Sequence, residues 1–154
     1  MRRVLLICTA NVCRSPLAQG LLKKQLSDQG LGGEWEVNSA GSWTEGGVPV
    51  DPLVREMLAD RGIKAGEWRS REVTEKMLVE ANLVLTMEAG HQEALQVEFP
   101  EQADKVYMLS ELVGERVNVT DPVGKDDGEY YEVLGVIEGY LEGAMERMKG
   151  LVVG

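Results

Sequence analysis

The stretch Val4-Leu5-Leu6-Ile7-Cys8-Thr9-Ala10-Asn11-Val12-Cys13-Arg14-Ser15-Pro16 decides the fold. Its first half is a short aliphatic run of strand length. Beyond Pro16, Leu17, Leu21, Leu22 and Leu26 fall at i, i+4, i+5 and i+9, one face of a helix. A strand feeding a helix through a polar loop is the opening of an α/β domain. Three more strand-like runs follow, at 35–39, 83–85 and 105–109, the first run covering 3–7. Helical segments lie between them: Asp51-Pro52 reads as an N-cap with proline at N1, opening a helix that stops before Gly62. Segments 74–80 and 88–97 read as two further helices. In the last element Tyr130, Leu134, Ile137, Leu141, Met145 and Met148 form an apolar stripe. Gly135, Gly139 and Gly143 form a second stripe, read as a site of close packing. Alternating strands and helices predict a four-stranded parallel sheet with helices on both faces, flavodoxin-like, in the order 2-1-3-4. Ligands of such sheets bind at the carboxyl ends of the strands where the order reverses, which points to the end of the first strand.

The rest of the chain fits one domain, residues 1–154, with no repeats and no linkers. With 44% hydrophobic and 27% charged residues it has the composition of a globular protein with its own core. Sixteen basic against 26 acidic residues give a net charge of −10, which disfavours nucleic acid and anionic membrane surfaces as partners. An anionic substrate therefore needs a local positive site. Two cysteines cannot form a disulfide framework, and a single histidine makes a zinc site improbable on composition. Arg2-Arg3 before a short apolar run resembles a signal peptide only superficially, since Asn11, Val12 and Cys13 replace a small-residue cleavage site. No stretch approaches 18 apolar residues. A cytoplasmic location and a monomer are expected.

The loop from Cys8 to Ser15 reads as an anion cradle. A loop that curls into a helix N-terminus aims backbone N–H groups inward, and the helix dipole adds partial positive charge. Arg14 can fold back to grip two oxygens of a phosphate. Ser15 before Pro16 reads as the helix cap, its hydroxyl also placed to bond a thiolate. Cys8 at the floor of this positive environment is expected to ionise at neutral pH and to act as a nucleophile on a bound phosphoryl group. Thr9, Ala10, Asn11, Val12 and Cys13 supply the wall. The alternative for Cys8 is a buried small hydrophobe at a strand end. A leaving group needs a proton donor, and Asp121, stiffened by Pro122, is the candidate; from spacing alone an ordinary turn is equally good.

Together with Asn38-Ser39-Ala40-Gly41 after the second strand, Met87-Glu88 after the third and Asp121-Pro122 before the last helix, this loop closely resembles the low-molecular-weight protein tyrosine phosphatases. The resemblance runs through the whole chain in order. It implies the phosphotyrosine phosphatase I-like fold and a two-step hydrolysis of phosphotyrosine in proteins or peptides through a phosphocysteine on Cys8. Arg14 and the loop amides would bind phosphate, and Asp121 would act as general acid and then base. Asn11 would hold a strained loop conformation with help from Ser15 and Ser39, and neither a metal nor a cofactor is implied. Cys13 would form a protective disulfide with Cys8 on oxidation, or be a packed thiol.

The departures carry their own expectations. Ala10 stands where the family usually has glycine, so it must take a conformation that a Cβ allows or accept strain. Val123 stands where an aromatic commonly flanks the substrate ring. Trp43, in the 41–48 loop, is either an aromatic wall for the substrate or a surface or core anchor. Trp68 stands in for a histidine that often supports the loop asparagine. Two related activities compete. Arsenate reduction through a relay of cysteines is disfavoured because no cysteine follows Cys13, which leaves only a version using an external small thiol. Protein arginine phosphatases typically carry Thr where this chain has Val12, whose apolar side chain favours phosphotyrosine.

Overall fold

A computed structural model describes residues 1–152. Strand β1 (Arg2–Cys8) turns through the loop into α1 (Arg14–Asp28). It is followed by β2 (Trp35–Gly41), α2 (Pro52–Ala59), α3 (Glu75–Glu80), β3 (Leu83–Thr86), α4 (Ala89–Glu98), β4 (Val106–Met108) and α5 (Asp127–Leu151). All strand pairings are parallel and the order is β2-β1-β3-β4, as the sequence predicts. Two short 3-10 helices, Pro100–Lys105 and Leu109–Val113, bracket β4; no hydrophobic period announced them.

The two-fold alternation of β1 builds both faces of the sheet. Val4, Leu6 and Cys8 point to one side, where α1, α2 and α5 bring Leu17, Leu22, Val54, Ile137 and Leu141. Leu5 and Ile7 point to the other, against Leu78 of α3 and Leu95 of α4. Burial on both faces explains why the run is continuously apolar. Leu6 is fully enclosed, and its truncation to alanine would cost about 2–5 kcal/mol.

The register places the functional ends together. Cys8 lies beside Gly41, and Ile7 lies between Ala40 and Thr86, so the loops after β1, β2 and β3 leave the sheet at one edge. Gly41 is required there: a Cβ would stand 2.5 Å from the Thr9 carbonyl oxygen.

Two local expectations are corrected. Helix α1 starts at Arg14, and its cap residue is Cys13, with no side-chain cap bond. Ser15 is thus inside the first turn, where its hydroxyl is spent on other partners, and Pro16 costs nothing because first-turn N–H groups have no helical acceptor. The glycine stripe of α5 is not a packing face. A Cβ at Gly135 or Gly139 would meet nothing within 4 Å, and only Gly143 approaches a neighbour, Val113 Cγ1 at 3.0 Å. By contrast, Asp51 caps α2 through Leu53 N–H at 2.9 Å, as predicted.

Candidate active site

The loop between β1 and α1 wraps around the Cys8 sulfur. Among the described residues the backbone N–H groups of Ala10, Asn11, Val12 and Cys13 have no protein acceptor. A run of unpaired amides at a helix N-terminus is an anion-binding concavity. Asn11 has φ +60°, and it is the only non-glycine residue with positive φ among those described. Ala10 therefore needs no left-handed backbone, and its Cβ is accommodated without strain of that kind.

A chain of hydrogen bonds with a defined direction holds Asn11 in place. Arg71 N–H donates to Asn11 Oδ1 at 3.0 Å, which fixes the amide and turns Nδ2 toward two hydroxyls. Nδ2 donates to Ser15 Oγ and to Ser39 Oγ, both at 2.9 Å. Ser39 passes its hydrogen to Gln19 Oε1 at 2.6 Å. Since Ser15 Oγ accepts from Asn11, its own hydrogen is left for Cys8 Sγ, 2.9 Å away. Ser15 N–H approaches the same sulfur at 3.4 Å. The sulfur thus faces two donors, the Ser15 hydroxyl and the Ser15 N–H.

Arg14 closes the site from the far end of the loop. Its side chain is 2% exposed; Nη1 lies 2.5 Å from Glu88 Oε2 and donates to the Val119 carbonyl at 2.7 Å. Nε and Nη2, one edge of the guanidinium, make no hydrogen bond, so a bidentate face remains for an anion. Asp121 Oδ2 stands 3.8 Å from Nη2, and Oδ1 accepts from Val123 N–H at 3.0 Å. The aspartate is therefore at once the turn-former and a carboxylate at the mouth of the cradle, half-exposed.

Thr9 is held twice. Its carbonyl accepts from Trp43 N–H at 3.0 Å, and its hydroxyl lies 2.9 Å from His91 Nε2. Cys13 is a buried free thiol, and so is Cys8. Burial first, then the Asp51 carboxylate, pushes the Cys13 thiol well up. Asp51 donates its N–H to the Val12 carbonyl at 2.8 Å and accepts from Tyr130 O–H at 2.7 Å, tying the loop to α2 and α5.

The structure brings Cys8, Thr9, Ala10, Asn11, Val12, Cys13, Arg14, Ser15, Ser39 and Asp121 together around the loop. Trp43 is 80% exposed and Val123 51%, so Trp43 is no core anchor. Trp68 does not support Asn11; the Arg71 backbone does, and Trp68 instead carries Lys23 Nζ 5.1 Å from its ring centroid. Sequence reasoning gave no part in the site to Gln19, Arg71, Glu88, His91 or Tyr130, although Tyr130 stood in the apolar stripe of the last helix and Glu88 in a motif of the resemblance. Two had a signal: Glu88 and His91 follow β3, the neighbour of β1, and so had to lie beside the loop.

Comparison with known proteins identifies the family. The model of the low molecular weight phosphotyrosine protein phosphatase family matches residues 3–152. The chain belongs to this family. A low molecular weight protein-tyrosine-phosphatase of Streptomyces coelicolor is 33% identical over 161 aligned positions, covering 99% of this chain and 96% of that protein. A protein-arginine-phosphatase of Geobacillus stearothermophilus is 32% identical over 149, covering 96% of each. The crystal structure of a low molecular weight protein tyrosine phosphatase from T. tengcongensis superposes with a TM-score of 0.89 at 33% identity, covering 96% of this chain and 99% of that one.

Proposed function

We propose that this member of the family hydrolyses phosphotyrosine in proteins or peptides, and small aryl phosphates, in two steps. The observation that carries the reading is the Cys8 sulfur at the floor of a loop whose four consecutive N–H groups and one arginine edge have no acceptor of their own.

In the first step the phosphate oxygens take the amides of Ala10 to Cys13 and the free edge of Arg14. The Cys8 thiolate attacks phosphorus in line, the P–O bond to the leaving oxygen breaks, and Asp121 gives that oxygen its proton. A phosphocysteine results. In the second step Asp121, now a carboxylate, takes a proton from water; the water oxygen attacks phosphorus and the S–P bond breaks, returning the thiolate and inorganic phosphate. The amides and Arg14 stabilise the charge on the transferring group, being already in position before reaction.

A second reading rests on one observation: a relative at 32% identity, against 33% for the tyrosine phosphatase, is named a protein-arginine-phosphatase. Val12, which offers no hydrogen bond to a guanidinium, favours the tyrosine ester. Side-by-side assays on phosphotyrosine, phosphoarginine and phosphoserine peptides decide it. Faster turnover of phosphotyrosine is expected; a preference for phosphoarginine would replace the substrate assignment. Cys8→Ser and Arg14→Ala are each expected to abolish turnover, and retained activity in Cys8→Ser would overturn the mechanism.

A further inference from the structure

His91 is the one histidine of the chain and sits in the first turn of α4 with its ring buried. Nε2 lies 2.9 Å from Thr9 Oγ1, while Nδ1 is buried with no partner. These two facts favour one tautomer. A buried N–H without an acceptor costs more than a bare lone pair, so the hydrogen belongs on Nε2 and is donated to Thr9. Burial holds the ring's basicity below that of an ordinary histidine, Arg14 acting with it and the Glu88 and Asp121 carboxylates against it.

The consequence lies in the peptide that joins Thr9 to Ala10. Its carbonyl is pinned by Trp43 N–H at 3.0 Å, and its N–H is one of the unpaired amides of the cradle. The Thr9 side chain gives this segment a second tether, through its hydroxyl to His91. We propose that His91 is a positioning residue: by donating Nε2–H to Thr9 it locks the first peptide of the loop so that the Ala10 amide faces the phosphate. Its effect is on phosphate affinity and reaches the substrate only through Thr9. This rests on the reading of the loop as the phosphate site.

Two measurements test it. Long-range ¹H–¹⁵N correlation of the imidazole, unambiguous in a one-histidine protein, should show the neutral Nε2–H form in the ligand-free enzyme; an Nδ1–H form would overturn the proposal. Inhibition by inorganic phosphate is the second. One hydrogen bond of ordinary strength corresponds to about a fivefold change, so His91→Ala and Thr9→Val should each raise the phosphate inhibition constant and KM by roughly that factor, with kcat less affected. The double variant should be no worse than either single one. His91→Gln, which keeps a donor near the place of Nε2, should return the constant to within about twofold of the starting protein. Unchanged constants in His91→Ala, or additive effects in the double variant, would sink the idea. Should His91→Ala fail to fold, Thr9→Val and His91→Gln carry the same comparison. Absence of phosphate inhibition in the unmodified enzyme would instead refute the phosphate site, and the tautomer would still be read directly.

Discussion

Arg14 is clamped by Glu88: Nη1 lies 2.5 Å from Glu88 Oε2, and the guanidinium is almost wholly removed from solvent. Glu88 is the nearer of two carboxylates that neutralise the buried charge, Asp121 lying 3.8 Å from Nη2, and it occupies only one end of the fork. The opposite edge keeps its charge and its hydrogens for a ligand. A protein of net charge −10 thereby holds a focused positive site.

Removing Glu88 leaves that guanidinium with the Val119 carbonyl and only the half-exposed Asp121 carboxylate, 3.8 Å from Nη2. Breaking a buried pair costs about 3–5 kcal/mol. The Glu88 side chain is about one-third exposed, so solvent screening brings the expectation for Glu88→Ala down to about 2 kcal/mol. In a chain of this size that is about 4–8 °C in Tm. A bound anion replaces the lost partner, so saturating phosphate should raise the Tm of Glu88→Ala by more than it raises that of the unmodified protein. Equal shifts would show that Glu88 does not neutralise Arg14.

Asn11 combines a left-handed backbone with three hydrogen bonds, and two substitutions separate these contributions. Asn11→Gly keeps the backbone free to adopt φ +60° and loses the bonds. Asn11→Ala loses the bonds and adds the left-handed penalty of about 1–2 kcal/mol. Urea unfolding should therefore rank alanine below glycine by about that amount. Both variants should lose at least about tenfold in kcat/KM, since a 1.4 kcal/mol misplacement of the loop already costs that much. Alanine proving as stable as glycine would mean the backbone at Asn11 is not strained.

Asp121 is poised at 3.8 Å from Arg14 and held by its turn. Asp121→Ala should slow phenyl phosphate hydrolysis by at least about 10²-fold, a typical general-acid contribution. The loss should be much smaller for p-nitrophenyl phosphate, whose leaving oxygen departs without a proton. Full-rate cleavage of phenyl phosphate by this variant would remove Asp121 from the role of acid.

Much of this architecture was legible in the chain because strong local signals agreed. The apolar runs, the helical leucines of α1 and the Asp51-Pro52 cap each name an element, and strand alternation supplies the topology. The loop was legible because Cys8, Arg14 and Ser15 sit in one continuous segment. What stayed hidden is held by contacts between segments distant in sequence. Arg71 supports Asn11 with a backbone N–H, which no residue type announces, so the neighbouring Trp68 attracted the role instead. Ser15 looks like a cap because its type and place before Pro16 fit one, but Asn11 and Cys8 claim its hydroxyl. The glycines of α5 share a face by spacing, and spacing cannot tell an empty face from a packed one.

Asp51 links Cys13 and Tyr130 to the pH dependence of folding. Burial, then the neighbouring carboxylate, raises both groups above their ordinary values of 9.0 and 10.0. The folded protein thus keeps two protons that the unfolded chain releases as pH rises through 9 and 10. Deprotonation favours the unfolded state there, so the stability from these groups is complete below about pH 9 and declines above it. Tyr130→Phe removes one of them. At pH 7 it should destabilise by about 1.5–3 kcal/mol, the value of a hydrogen bond to a charged group. Between pH 9 and pH 10.5 the gap to the unmodified protein should narrow, because only the tyrosine-bearing chain gains from ionising when unfolded. Urea midpoints measured at half-unit steps over this range test it, and a gap that stays constant would show that the phenol keeps its ordinary acidity in the fold. Cys13 can be followed in the same samples: in a Cys8→Ser background it should resist iodoacetate at pH 9 while folded and react in urea.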